Sequence, residues 1–472
     1  MLVRPAHTIT FCVTLALAPL AARAQQLTDA ERTRIDSSVN AVLTGTGAPG
    51  ASIAVVRGAE VVYERGYGDG HLEPRAAATS AMRYSIGSVS KQFTASAIML
   101  LVQEGKLSLD DKVAKWLPQL TRAGEVSIRQ LLSMTAGYQD YWPQDYVFTD
   151  MMRPTTADDI MRRWAGNGKP LDFDPGTRWQ YSNTNFVIAG AIAEKVAGIP
   201  LMDFMRQRIF TPLRMTSVGD FNAGPLGAND AGAYLRNALG PLRPAPKEAA
   251  GWLFAAGQLA MTAHDLALWD VSLMNQSLLR PESYRTLETS MVLASGVATG
   301  YGLGMNVGNT SGRRRLSHGG AVSGYTTENQ VYPDDKAAIV VFTNIYPGSA
   351  GAPGQIANRI AQIIFAGAPS AASDSAAALA ARIYDALSAG RIDRMLFTPD
   401  LNAYFSQQVV SDYAGSLGPL GAPTEFTAQG ESLRGGMTIR SYRIRAGNVV
   451  MSLTTMTRPD GKIDQYLVQR AG

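Results

Sequence analysis

Ser88-Val89-Ser90-Lys91-Gln92-Phe93-Thr94-Ala95-Ser96-Ala97-Ile98-Met99-Leu100-Leu101-Val102-Gln103 is the most apolar helix-forming run downstream of the N-terminal segment. Phe93, Ile98, Met99, Leu101 and Val102 mark it for burial. Gly105 stops it at the position past a helix C-terminus where glycine is favoured. Its polar start stands out. Ser88 and Lys91 are three residues apart, so on a helix they share a face and the amine reaches the hydroxyl. A serine is a poor nucleophile until a neighbour takes its proton, and a buried lysine with a lowered pKa can do that. About one Ser-x-x-Lys arises by chance in a chain this long, so the pair needs company before it means anything.

Working outward, β-rich runs lie on both sides of this helix at a distance. Ser52 to Val56 and Val61 to Tyr67 read as a hairpin turned by Arg57-Gly58-Ala59-Glu60, preceded by a helix over 27–45. Far downstream, Tyr325 to Tyr332 and Ala337 to Phe342 read as strands joined by Pro333-Asp334-Asp335-Lys336, with a helix from Gln355 to Phe365 closing the unit. Between them, 110–300 is helix and loop. Strands at both ends with helices between predict an α+β domain over 27–366: one antiparallel sheet built from distant parts of the chain, flanked by helices, with an all-helical region.

Two further groups of residues are candidates for chemistry. Tyr181-Ser182-Asn183 follows a Pro175-Gly176 turn. A tyrosine beside an ammonium can sit as phenolate or pass protons between nucleophile and leaving group. Asn183 can hold a substrate amide. His318-Gly319-Gly320-Ala321 precedes a strand, where small residues let a substrate backbone lie along a sheet edge and an amide complete an oxyanion hole. Taken alone, the first is an ordinary polar loop and the second a glycine turn with a solvated histidine.

Together and in this order, the three groups resemble the serine β-lactamase and penicillin-binding superfamily, whose set is Ser-x-x-Lys, then Ser-Asp-Asn or Tyr-x-Asn, then Lys-Thr-Gly. The Tyr-x-Asn form is similar to the branch holding class C β-lactamases, D-alanyl-D-alanine carboxypeptidases and esterases. So are Gly105 to Asp111 with Trp116-Leu117-Pro118, Ile128 to Gly137, and Ala256-Gly257-Gln258-Leu259 with Thr262 and Asp265-Leu266. The resemblance covers about 30–365. It implies a β-lactamase/transpeptidase-like fold and a serine hydrolase that needs no metal or organic cofactor. Ser88 would be the acylated nucleophile, Lys91 its activating partner and Tyr181 the proton shuttle. Asn183 would contact the substrate amide, and the amides of Ser88 and Ala321 would form the oxyanion hole. His318 and Gly319 stand where the family has lysine and threonine. Members with His-x-Gly tend towards peptidases of D-residues and esterases. Substrates expected on this basis are small esters, D-amino-acid peptides or β-lactams; a class C-type β-lactamase and a non-catalytic penicillin-binding-like sensor or scaffold are the alternatives. An imidazole with an ordinary pKa of about 6.5 would hold a substrate carboxylate below that pH and lose its grip above it.

The chain has 472 residues, 46% hydrophobic and 17% charged, a composition that buries a large core in more than one domain. Residues 1–24 read as a secretory signal: Arg4 and His7, an apolar run from Ile9 to Ala22, and Ala22-Arg23-Ala24 for cleavage after Ala24. Pro19 and the short run argue against a membrane anchor, so the expected location is periplasmic or secreted, without stable membrane insertion. Cleavage removes Arg4, Arg23 and the only cysteine, Cys12, taking the formal charge from +4 to +2. That is too diffuse for a nucleic-acid partner, and Arg313-Arg314-Arg315 reads as a solvated loop. Residues 367–378 read as a small-residue linker. Beyond it, 379–472 reads as a small α+β domain, similar in its helix-then-strand order to the nuclear-transport-factor-2-like type. Its helices are expected at 377–389 and 391–405, and its strands at Thr438 to Arg445, Val449 to Thr457 and Ile463 to Gln469. It carries no nucleophile constellation and is expected to shape substrate access.

Overall fold

The computed structural model describes residues 26–470 apart from 145–146, 225–226, 238–239, 349–350, 367–370, 435–436 and 459. The signal segment 1–24 lies outside the described residues. Helix α1 (Asp29–Thr46) opens with a capping box, Thr28 and Glu31 each satisfying the other's backbone N–H. Strands β1 (Gly50–Arg57), β2 (Glu60–Leu72) and β3 (Arg75–Ala77) follow, then helix α2 (Ser90–Gln103) and helix α3 (Asn183–Ala197). After helix α4 (Ala263–Asn275) come β4 (Asn306–Thr310), β5 (Arg313–Val322), β6 (Tyr325–Tyr332) and β7 (Ala337–Thr343), then helix α5 (Ala352–Ile364).

These strands form one antiparallel sheet in the order β3-β2-β1-β7-β6-β5-β4, so its two sequence-distant halves meet where β1 pairs with β7. Every residue of β7 is buried, as its Ala-Ala-Ile-Val-Val-Phe-Thr sequence requires of a central strand covered on both faces. The two-residue period divides its side chains. Ala338, Val340 and Phe342 join the core beneath α2 and α3, while Ala337, Ile339 and Val341 join the one under α1 and α5. Helix α2 is pinned in the first core by Phe93, whose ring lies 4.7 Å from Trp269 and 5.6 Å from Phe210. Removing that ring is expected to cost about 3–5 kcal/mol. At its far end Gly105 adopts φ +69°. There Lys106 N–H returns to Leu101 and Gly105 N–H to Val102, the paired bonds that finish a helix. Among the described residues no single helix is long and apolar enough to cross a membrane; Asn183–Ala197 with Leu201–Phe210 reaches that length only through a 74° bend.

Two local expectations need correction. Arg313, Arg314 and Arg315 are the first residues of β5 and not a loop. Arg313 pairs with Asp335 and Arg314 with Glu288 at 2.7 Å, so acidic partners let the run sit in a strand. The stretch 367–378 is not a linker throughout. Helix α6 (Ala371–Ser388) begins inside it, because a run dominated by alanine loses little entropy in a helix.

The C-terminal unit continues with α7 (Pro399–Tyr404) and α8 (Gln407–Leu417), then β8 (Glu425–Arg434), β9 (Met437–Ala446), β10 (Val449–Thr457) and β11 (Ile463–Arg470). The expected helix over 391–405 is reduced to α7 and a tight turn at Arg394–Leu396, since Pro399 starts a new helix under a Thr398 cap. Helix α8 and strand β8 were not expected. The four strands form an antiparallel meander with its own core around Tyr384, Phe405, Leu453 and Tyr466. Strand β8 lies against β4, at the edge of the main sheet.

Candidate active site

Ser88 sits one step before α2, in a tight turn over Gly87–Val89, and not in the helix proper. The turn is possible because Gly87 takes φ +50° and because no side chain separates it from β5. A Cβ on Gly87 would lie 2.9 Å from the amide nitrogen of Ala321. Gly320 is required for the same approach from the other side, since a Cβ there would meet the Ile86 carbonyl at 2.0 Å and the Thr327 hydroxyl at 2.4 Å. Gly320 therefore packs the strand against the turn that carries Ser88, a role different from the expected room for substrate. Gly319 is less tightly enclosed: a built Cβ would make ordinary contacts with Glu328 Oε2 at 3.5 Å and the Thr327 carbonyl at 3.6 Å across the ladder. Strand β4 stops pairing with β5 at Ser317, so from His318 to Val322 that edge of β5 is left to the turn of Ser88.

Lys91 is fully buried, and its Nζ has three oxygen neighbours: Ser88 Oγ at 2.9 Å, Asn183 Oδ1 at 2.8 Å and the Ala256 carbonyl at 2.8 Å. Burial pulls its pKa down to about 7, with Asp140 acting in the opposite direction. Asn183 Oδ1 and the Ala256 carbonyl only accept, so a neutral amine gives them its two protons and turns its lone pair to the Ser88 hydroxyl. The segment Ala255–Leu259 is locked onto α2 for this purpose. Thr94 Oγ1 donates to the Ala255 carbonyl at 2.7 Å and Leu259 N–H to Ser90 Oγ at 3.2 Å.

Tyr181 is half-buried, with Lys91 Nζ 5.0 Å from its ring centre, and its hydroxyl bonds to Ser88. Burial drives the phenol's pKa up and Asp140 adds to that, outweighing the Ser88 bond, so it stays a protonated phenol and not a phenolate. Asn183 differs from expectation. Its Oδ1 is taken by Lys91 and its Nδ2 donates to Asp140 Oδ2 at 3.2 Å, leaving a single amide proton for any substrate. Asp140 in turn accepts from the backbone of Trp142 and Asn183.

His318 also departs from expectation. It is buried, not solvated, and burial pulls its pKa down to about 3, helped by Lys91. Its Nδ1 donates to the Gly319 carbonyl at 2.6 Å, and Nε2 accepts from Tyr301 at 2.9 Å. A neutral ring with both nitrogens engaged does not replace the lysine's charge.

The structure thus brings Ser88, Lys91, Tyr181, Asn183, His318, Gly319, Gly320 and Ala321 together around one cavity of about 640 Å³ (Lys91 lies behind its wall). Sequence reasoning missed Asp140, Tyr301 and Glu328. The Ala256 carbonyl lies in a stretch already noted for its resemblance.

Residues 29–362, most of the chain, match the Beta-lactamase family. The chain belongs to that family. A D-aminopeptidase from Brucella canis is 29% identical over 320 residues, covering 67% of this chain and 60% of the relative, so this beta-lactamase-family chain spans about 60% of the length of that curated protein. A D-stereospecific amidohydrolase from a Streptomyces species superposes with a TM-score of 0.58 at 26% identity, over 71% of this chain and 98% of its own. An octameric penicillin-binding protein homologue from Pyrococcus abyssi gives 0.62 at 21% identity, over 94% and 100%, a likeness of fold alone.

Proposed function

We propose that the protein is an exported serine hydrolase that forms an acyl-enzyme on Ser88 and cleaves amides of D-amino acids or esters. The observation that carries this reading is the buried Lys91 amine, held by two acceptor-only oxygens with its third direction on Ser88 Oγ. In the neutral form Lys91 takes the serine proton as Oγ bonds to the substrate carbonyl carbon. The resulting oxyanion is held by the amides of Ser88 and Ala321. Tyr181, a phenol in contact with Ser88, gives its proton to the leaving nitrogen or oxygen and is restored from the Lys91 ammonium. Water then releases the acyl group by the reverse relay.

The charge around the cavity supports the substrate class. Asp140 and Glu328 line it, and the described lining residues include no lysine or arginine. With His318 neutral, a substrate carboxylate meets no cation there, whereas an ammonium beside the scissile carbonyl or a neutral ester is accommodated. This favours amides bearing an amine, as the names of the D-aminopeptidase and D-stereospecific amidohydrolase relatives suggest, over penicillins.

Intact-protein mass spectrometry after incubation with D-alaninamide, a short ester, benzylpenicillin and a fluorophosphonate tests the reading. It expects Ser88 labelling by the fluorophosphonate and turnover of the amide or ester. Absence of any Ser88 adduct with all four probes would sink it.

A further inference from the structure

A second cavity, of about 800 Å³, adjoins the first. The two share Gly319 and Glu328 as a common wall. Trp179, Tyr301, Val297, Arg315 and Glu431 are among the residues that line the second one. Trp179 keeps 39% of its surface exposed at the cavity, as does Val297. The catalytic reading sets the direction of a bound substrate. The leaving group must take its proton from Tyr181, so it lies on the Tyr181 side of the scissile bond. From there the Tyr181 ring adjoins His318 at 6.3 Å, His318 is bonded to Tyr301, and the Tyr301 ring adjoins Trp179 at 5.8 Å. This aromatic chain runs from the leaving-group side of the first cavity into the second, past Gly319, which lines both cavities and has no side chain to project into either.

Glu431 supplies an independent observation. It comes from β8 in the C-terminal unit, its side chain is only 5% exposed, and one oxygen is held by Arg440 at 2.7 Å. Among the described residues the other oxygen, Oε1, has no hydrogen-bond donor. A buried carboxylate oxygen without a donor is costly, and a backbone N–H supplied by a ligand would relieve that cost. Arg315 lies within electrostatic reach of both Glu328 and Glu431, so the cavity is not a plain cation trap.

We propose that the second cavity is a leaving-group subsite for a peptide, with Trp179 as its apolar floor and Glu431 of the C-terminal unit accepting a peptide N–H. This rests on the acyl-enzyme reading above and adds that the natural leaving group is a peptide segment, not ammonia or a small alcohol. Its volume takes several residues, since ligand cavities that enclose drug-sized molecules run to about 300–1,000 Å³.

The test compares kcat/KM for D-alaninamide and D-alanyl-triglycine on the full-length mature protein. Wild type is expected to favour the longer substrate. Trp179→Ala and Glu431→Gln are each expected to lower the ratio of long to short about tenfold, mainly through KM for the longer substrate. Ala298→Trp, which fills the cavity from its rim loop, is expected to lower the ratio without removing any wall residue, so it remains informative if Trp179→Ala folds poorly. A wild-type ratio near one, or variants that lower both substrates equally while melting as wild type does, overturns the subsite. Failure of Ser88 to acylate with any probe is a separate result and overturns the catalytic reading instead.

Discussion

Tyr301 donates its hydroxyl proton to Nε2 of His318 across 2.9 Å, and that one bond, with the ring's burial, decides what the histidine can do. The imidazole is a fixed neutral acceptor at one end and a donor to its own chain at the other. The ratio of kcat/KM for a matched anionic and neutral ester is therefore expected to stay constant from pH 5 to 8, contrary to the preference below pH 6.5 expected of a substrate-facing imidazole with an ordinary pKa in the lysine's place. His318→Lys is expected to raise that ratio about tenfold, roughly the effect of one partly screened charge. Stability has its own pH signature. The unfolded chain takes a proton on His318 near pH 6.5 while the folded chain resists it down to about 3. This group's contribution is intact above pH 6.5 and lost as pH falls through that window.

Lys91 sets the acid side of the activity profile. As a base it must be neutral, so kcat/KM is expected to fall tenfold per pH unit below an apparent pKa of about 7 and to level off above it. Asp140 favours the charged amine, so Asp140→Asn is expected to move this limb to lower pH. A profile with no limb between pH 6 and 8 would show that the lysine does not titrate there.

Ser88→Ala is expected to abolish labelling and turnover with little change in melting temperature. Lys91→Ala and Tyr181→Phe should each slow acylation about 10²–10⁴-fold. The double variant is expected to lose no more than about tenfold beyond the worse single one, because the two residues act as one proton relay through Ser88. Stopped-flow measurement of the acylation step in all four proteins checks this.

Asp270 on α4 is fully buried and accepts from Asn329 Nδ2 at 2.9 Å. Its other oxygen and Asn329 Oδ1, both acceptors, have no partner among the described residues. Burial holds its pKa well above the usual carboxylate range, so the folded chain keeps a proton that the unfolded chain releases near pH 4. The resulting stability is full below pH 4 and is lost as pH rises. Asp270→Asn supplies a permanent donor and is expected to be near neutral at pH 4 and stabilising by about 1–3 kcal/mol at pH 8. Urea unfolding at both pH values decides it; a gain equal at both would rule out titration of Asp270 as the cause.

The proposed export makes a simple prediction. The protein recovered from its native host is expected to begin at Gln25, and an intact mass that retains residues 1–24 would refute cleavage after Ala24.

The parts legible in the sequence were those carried by local pattern. Ser88 and Lys91 are joined by helical spacing alone, and β7 is joined to the core by its apolar run. What escaped was set by partners far along the chain. Tyr301 looks like any loop tyrosine until His318 is placed beside it, and Asp140 like a surface acid until Asn183 bonds to it from 43 residues away. Gly320 was expected to make room for a substrate, whereas the group its missing side chain admits is the Ile86 carbonyl of the protein's own backbone. Strand β8, Glu425 to Arg434, contains Gly430 and polar residues at most positions, so no alternating apolar pattern announced it.

The pairing of β1 with β7 has a consequence for how the protein is made. Ala51 faces Thr343, about 290 residues apart, so the centre of the sheet cannot close until nearly the whole beta-lactamase-family domain has left the ribosome. A chain that stays open that long leaves the apolar strands at its centre exposed to chaperones through most of synthesis. The turn that carries Ser88, which packs against β5 from the far half of the domain, is completed only at that late stage.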